Sequence, residues 1–102
     1  MTFKIISRED FYQHSLTTSN HSFLQSIEMA DLLHKRGATI HYIGWEEQGT
    51  LAISAILYSL PMTGGLHYEI NSGPIVTDTR YLPDFYKAVQ AYVKENGGIE
   101  FI

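Results

Sequence analysis

Few residues in this 102-residue chain combine types and spacing that could do chemistry. Lys35-Arg36 is its only adjacent basic pair. An ammonium beside a guanidinium could meet an anionic substrate such as a diphosphate. At a helix C-terminus the same pair would simply complement the helix dipole. Asn71-Ser72-Gly73-Pro74 is a strand exit with a rigid turn. It could floor an extended substrate, because ligands often gather at strand ends, or it could only turn the chain. Glu46-Glu47 could act as an acid/base pair, but a solvated strand end is the plainer reading. His14, His21, His34, His41 and His67 form no H-E-x-x-H motif and no i, i+4 pair. They read as solvated or core-edge groups rather than metal ligands. No nucleophile elbow, Walker loop or dinucleotide fingerprint occurs, and Gly64-Gly65 reads as a turn rather than a phosphate cradle.

The totals bound the setting for these residues. The length suits one small domain with a core. A net charge of −4 argues against a nucleic-acid surface within this chain, which would need a basic stripe. No window reaches ~18 uncharged apolar residues, as a membrane helix requires. Met1 to Ile6 lacks the apolar run and cleavage site of a signal peptide. The absence of Cys excludes disulfides and suits a cytoplasmic protein.

The elements that must position the candidates are organised around Leu51 to Pro74. Leu51 to Leu60 is almost continuously apolar, which predicts a strand buried on both faces. Leu66, Tyr68 and Ile70 alternate with His67, Glu69 and Asn71, which predicts a half-buried neighbour strand over Leu66 to Asn71. Thr39 to Glu47 is the strand on the other side. Ile40 and Tyr42 share one of its faces; His41, Ile43 and Trp45 share the other. Gln48-Gly49 forms the hairpin turn between them. Phe3 to Ile6 is a first strand. Ser7 with Asp10 predicts a capped helix to about Leu16, with Phe11 and Tyr12 inward. Thr17 to Asn20 is a polar loop. Ser22 with Gln25 predicts a second capping box, opening a helix with Phe23, Ile27, Ala30 and Leu33 as its apolar stripe. Leu82, Phe85, Val89 and Tyr92 mark a helix over Tyr81 to Glu95. Ile99 to Ile102 begins a strand on which the chain stops.

The order β-α-α-β-β-β-α-β is that of an α+β domain, a mainly antiparallel sheet covered by helices. Its raw end predicts a partial domain, the N-terminal part of a longer chain. It also predicts self-association through an unfinished sheet edge.

The sequence also resembles the Fem family of peptidoglycan-bridge aminoacyltransferases. The matching pieces are Phe23-Leu24-Gln25-Ser26, Glu28 through Gly37, Tyr42-Ile43-Gly44, the apolar strand from Ala52 to Leu57, and Gly73-Pro74-Ile75-Val76. The resemblance implies a GNAT-like fold. It implies a parent protein that moves an amino acid from aminoacyl-tRNA to the stem peptide of a peptidoglycan precursor. The setting would be the cytoplasm, at the inner face of the membrane through the lipid-linked precursor. No cofactor is implied. Aminoacyl transfer to an amine needs no enzyme nucleophile, because the tRNA ester is already activated; positioning and oxyanion stabilisation suffice.

The sequence departs from the family pattern in places. Relatives often carry a basic residue before the Gly-Pro, where this chain has Ser72. They often carry an acidic residue at the position of Thr77, and Asp78 substitutes after a one-residue shift or the contact is lost. Asp31 and Leu33 lie nearest the position of a phosphate-binding lysine in some relatives. The substrate-binding candidates are therefore Lys35, Arg36, Asn71, Ser72 and Asp78. The competing readings are an acyl-CoA-dependent GNAT enzyme and a non-catalytic interaction domain. The first needs a glycine-rich pyrophosphate loop at a helix start, and Ser72 to Thr77 has Pro74 there instead.

Overall fold

The computed structural model describes residues 2–18 and 22–102. The long apolar run becomes β3, Thr50–Met62, which lies inside the sheet and is buried from Ala52 to Ser59. β2, Thr39–Glu47, runs antiparallel beside it through the Gln48-Gly49 turn. Both turn residues have positive φ, 51° and 80°, so the turn twists with the strands it joins. β1, Thr2–Ile5, extends the sheet beyond β2. The far side of β3 is shared. β4, Gly65–Glu69, pairs Tyr58 to Met62, while β5, Ile75–Val76, pairs Ile53 and Ser54. β6, Gly98–Phe101, lies parallel to β4 at the edge, giving the order β1-β2-β3-β4-β6.

Between the β4 and β5 ladders, Ile56 has no strand opposite it on that side. A side chain fills the gap. Gln25 Oε1 accepts the Ile56 N–H at 2.8 Å, and Gln25 Nε2 donates to the Asn71 carbonyl at 2.9 Å and toward that of Ile56 at 3.5 Å. Gln25 is only 1% exposed. Its amide acts as one missing residue of the sheet, which satisfies the buried backbone of Ile56 and the part-buried carbonyl of Asn71.

β3 alternation sets the two layers of cover. Ile56 faces α1, Arg8–Ser15, and α2, Ile27–Lys35, in a core with Ile6, Phe11, Ala30 and Ile75. Ile53, Ala55 and Leu57 face α3, Leu82–Glu95, in a core with Ile43, Tyr68, Phe85 and Val89. Ser7 caps α1 by accepting the Asp10 N–H at 2.9 Å. Gly37, at φ 98°, closes α2 in the left-handed region where a side chain would be strained. No described helix is long and apolar enough to cross a membrane.

The expected order is observed, with several corrections. Ser22 caps a 3₁₀ turn over Phe23–Gln25 rather than α2, and Ser26 caps α2 by accepting the Met29 N–H. The extended backbone of Ser26, φ −125°, breaks the helical phase, so Phe23 leaves the stripe and is 65% exposed. Gln25 serves the sheet and not a capping box. Tyr12 points outward. β4 stops at Glu69 rather than Asn71, whose carbonyl goes to Gln25. β5 was not expected, being only two residues long. Ser19, Asn20 and His21 of the expected loop and histidine set lie outside the described residues.

The seam between β4 and β6 carries a titratable bridge. His67 Nδ1 meets Glu100 Oε2 at 2.5 Å, and Nε2 meets Glu69 Oε1 at 3.0 Å. The hydrogen bond to Glu69, then that to Glu100, raises the His67 pKa above its usual value. A group with a raised folded pKa stabilises fully below its unfolded value, ~6.5, and stops doing so as pH rises through the folded value. The stability gap between the parent chain and His67→Gln should therefore be larger at pH 6 than at pH 9. Denaturant midpoints at the two pH values measure it, and a gap that widens with pH would contradict the bridge.

Candidate functional site

A cleft of about 600 Å3 opens between α1, β1 and the β2–β3 hairpin. Lys4, Asp10, Gln13, His14, Glu46 and Thr77 contribute to its walls. Lys4 Nζ pairs with Glu46 at 3.2 Å, leaving the Asp10 carboxylate as the further charge of the lining. A second cleft of about 480 Å3, with Glu47, Asp78, Arg80 and Tyr81, shares Thr50, Leu51 and Thr77 with the first. The two form one groove around the start of β3, and Thr77 stands where they meet.

His14 is delivered to this wall by α1. It lies three residues after Phe11, so the helical period that buries Phe11 also turns His14 inward. It is 6% exposed, with both ring nitrogens engaged. Nδ1 lies 2.5 Å from Ser54 Oγ on β3, and Nε2 lies 3.3 Å from Thr77 Oγ1 just beyond β5. Thr77 Oγ1 also donates toward the backbone carbonyls of Ala52, at 3.0 Å, and Leu51, at 3.4 Å. Because the shorter bond takes the Thr77 hydrogen, we assign the His14 proton to Nε2, donating to Thr77. Nδ1 then accepts from the Ser54 hydroxyl. This arrangement uses every hydrogen of the three side chains. Burial pushes the His14 pKa down, which keeps the ring neutral.

A Ser–His contact is the signature of a nucleophile and its base. Here Ser54 is 0% exposed, so no substrate carbonyl can reach its oxygen. Among the described residues no group of three His, Cys, Asp or Glu could hold a metal.

The sequence candidates fall in three places. Asp78 lies in the groove, where it caps the next turn through the Arg80 N–H and pairs with the Arg80 guanidinium at 2.6 Å. Those bonds hold its carboxyl below the usual carboxylate range. Asn71 and Ser72 occupy the turn after β4. Asn71 Oδ1 accepts the Tyr58 hydroxyl at 3.5 Å, and Ser72 is an exposed left-handed residue, φ 62°. Lys35 and Arg36 are exposed at the end of α2, with no ion pair among the described residues. They lie three to four residues before Thr39, which is opposite Ser59 on β3, whereas the Asp78 N–H bonds the Ala52 carbonyl. Seven residues of strand, roughly 23 Å, separate those two levels. The structure thus brings Asp78 together with Thr77 and leaves Lys35-Arg36 at the opposite end of the sheet. His14, Ser54 and Thr77 were not read as site residues from the sequence. His14 left a signal there in its helical spacing from Phe11, and Thr77 in standing where relatives often carry an acidic residue; Ser54 left none.

The model of the FemAB family matches residues 6–102 of the chain. No curated protein sequence matches it. The crystal structure of FemX superposes with a TM-score of 0.77 at 17% identity, covering 96% of this chain and 25% of that one. The crystal structure of a Trypanosoma brucei acetyltransferase superposes with a TM-score of 0.57 at 15% identity, covering 99% of this chain and 80% of that one. At such identities the likeness shows the fold, which is GNAT-like. The chain spans a quarter of the length of the FemX chain.

Proposed function

Because the chain belongs to the FemAB family, we propose that it is the N-terminal part of a transferase carrying amino acids from aminoacyl-tRNA to the stem peptide of a peptidoglycan precursor. The observation that carries this reading is the family match over residues 6–102. Attack by an amine on an aminoacyl ester forms a C–N bond and releases the tRNA hydroxyl, and no enzyme nucleophile takes part. What that reaction asks of the protein is that the amine and the ester be held in reacting geometry.

The likeness to an acetyltransferase favours acyl-CoA as a second reading of the donor. The local backbone argues against it. β4 does not run directly into a helix whose N-terminal amides could hold a pyrophosphate. It passes through Ser72-Gly73-Pro74 into β5, and α3 opens at Leu82 with Pro83, which has no N–H to offer, in its first turn.

Lys35, Arg36, Asn71, Ser72 and Asp78 are proposed to meet the acceptor along its length. The distance between Lys35-Arg36 and the Thr77 groove is that of about seven extended residues, so only a long acceptor could occupy both. In the full parent protein, replacing Lys35 and Arg36 together by Ala should weaken binding of the precursor roughly ten- to hundred-fold, the value of one charge-assisted contact. Calorimetric titration of the precursor measures this. Unchanged affinity would return the pair to its role as helix-end charges, and no saturable binding by the parent protein would contradict the proposed acceptor.

A further inference from the structure

We propose that Thr77 binds the acceptor amine in the groove and that His14 is its positioning residue; this rests on the transferase reading above. Thr77 is an exposed residue that lines both clefts. Its hydroxyl hydrogen is committed to the β3 carbonyls and one Oγ1 lone pair to the His14 Nε2–H. One lone pair is left, and it can accept an N–H from a substrate. An attacking amine has to be neutral, with its own lone pair free. A hydrogen-bond acceptor that carries no charge can hold such a group by one N–H without drawing it to the ammonium form. The neutral imidazole behind it adds no positive charge to repel the amine.

Ser54 completes the device. It is wholly buried on β3, and its hydroxyl fixes the ring by donating to Nδ1, so Nε2–H can only point toward the groove. The chain Ser54, His14, Thr77, Ala52 carbonyl therefore sets the direction of one lone pair in a site otherwise open to water. Lys4 and Glu46 neutralise each other in the same lining, and the remaining carboxylate, Asp10, disfavours an anionic group at this end of the groove.

Two substitutions of His14 separate positioning from mere packing. The amide nitrogen of Gln can take the place of Nε2, and that of Asn the place of Nδ1. In the parent protein, Thr77→Val should lower kcat/KM for the precursor about tenfold with the KM for charged tRNA unchanged. Thr77→Ser should restore most of the loss. His14→Gln should retain most activity, whereas His14→Asn should fall with Thr77→Val. A structural role would instead affect Gln and Asn alike, with losses that track melting temperature. That result, or Thr77→Val indistinguishable from the parent, would overturn the inference. Nitrogen-15 spectra of the unsubstituted protein test it without any variant: an Nε2–H tautomer at His14 is expected, and an Nδ1–H tautomer would overturn it. A folded parent protein inactive with every charged tRNA would remove the transferase reading and this inference with it, an outcome distinct from an active enzyme indifferent to Thr77.

Discussion

Gln25→Leu should destabilise the chain by about 2–4 kcal/mol, since it leaves the buried Ile56 N–H without a partner, at ~1–3 kcal/mol, and removes the part-buried bond to the Asn71 carbonyl, worth ~1 kcal/mol. The two bonds are 2.8 and 2.9 Å long. Leu is close to Gln in size, so the loss comes from unmet hydrogen bonds rather than from a cavity. Small domains have only ~5–15 kcal/mol in total. At roughly 4–8 °C per kcal/mol for a domain of this length, the melting temperature should fall by about 10 °C or more. A variant that melts within a few degrees of the parent would show that the gap between β4 and β5 tolerates solvent or closes without the glutamine.

Ile56→Asp should abolish cooperative folding. Ile56 is 1% exposed and packs under α1 and α2 with Phe11, Ala30 and Ile75. No described cation lies in that core, so a carboxylate there would have to be protonated or drag water inward. Either route costs several kcal/mol on top of the lost apolar burial. Ile56→Val should cost only ~0.5–1.5 kcal/mol. Ile99→Asp should be tolerated, because Ile99 is 57% exposed at the sheet edge. Circular dichroism melts compare the three. An Ile56→Asp protein melting like the parent would contradict the place of β3 at the centre of the sheet.

What was legible in the sequence follows from the range of the interactions involved. β2 and β3 could be read because burial imposes a short period on residues close in sequence. The division of His41, Ile43 and Trp45 from Ile40 and Tyr42 therefore matches the two cores. Ser7 could be read as a cap because its partner is three residues away. Gln25 could not be assigned its role, since its partners are the backbones of Ile56 and Asn71, and a side chain that completes a distant strand leaves no periodic trace. Its position three residues after Ser22 even imitated a capping box. β5 was too short to carry a period. The contacts among His14, Ser54 and Thr77 join residues 40 and 63 positions apart, so the inward phase of His14 and the family position of Thr77 could be read but not their meeting. Asp78 was named through a family resemblance, and the structure adds that Arg80 already occupies its carboxylate. Lys35-Arg36 stood out in sequence because basic residues are otherwise scattered, and that contrast says nothing about which end of the sheet they reach.

The most direct test of the account uses the full parent protein, a peptidoglycan precursor and two labelled donors, charged tRNA and acetyl-CoA. A radiolabelled amino acid is expected to reach the stem peptide from tRNA. Ribonuclease treatment of the donor mixture before charging should abolish the transfer, and no acetyl group should be transferred from acetyl-CoA. Label arriving from acetyl-CoA, with none arriving from any charged tRNA, would contradict the aminoacyl-tRNA reading.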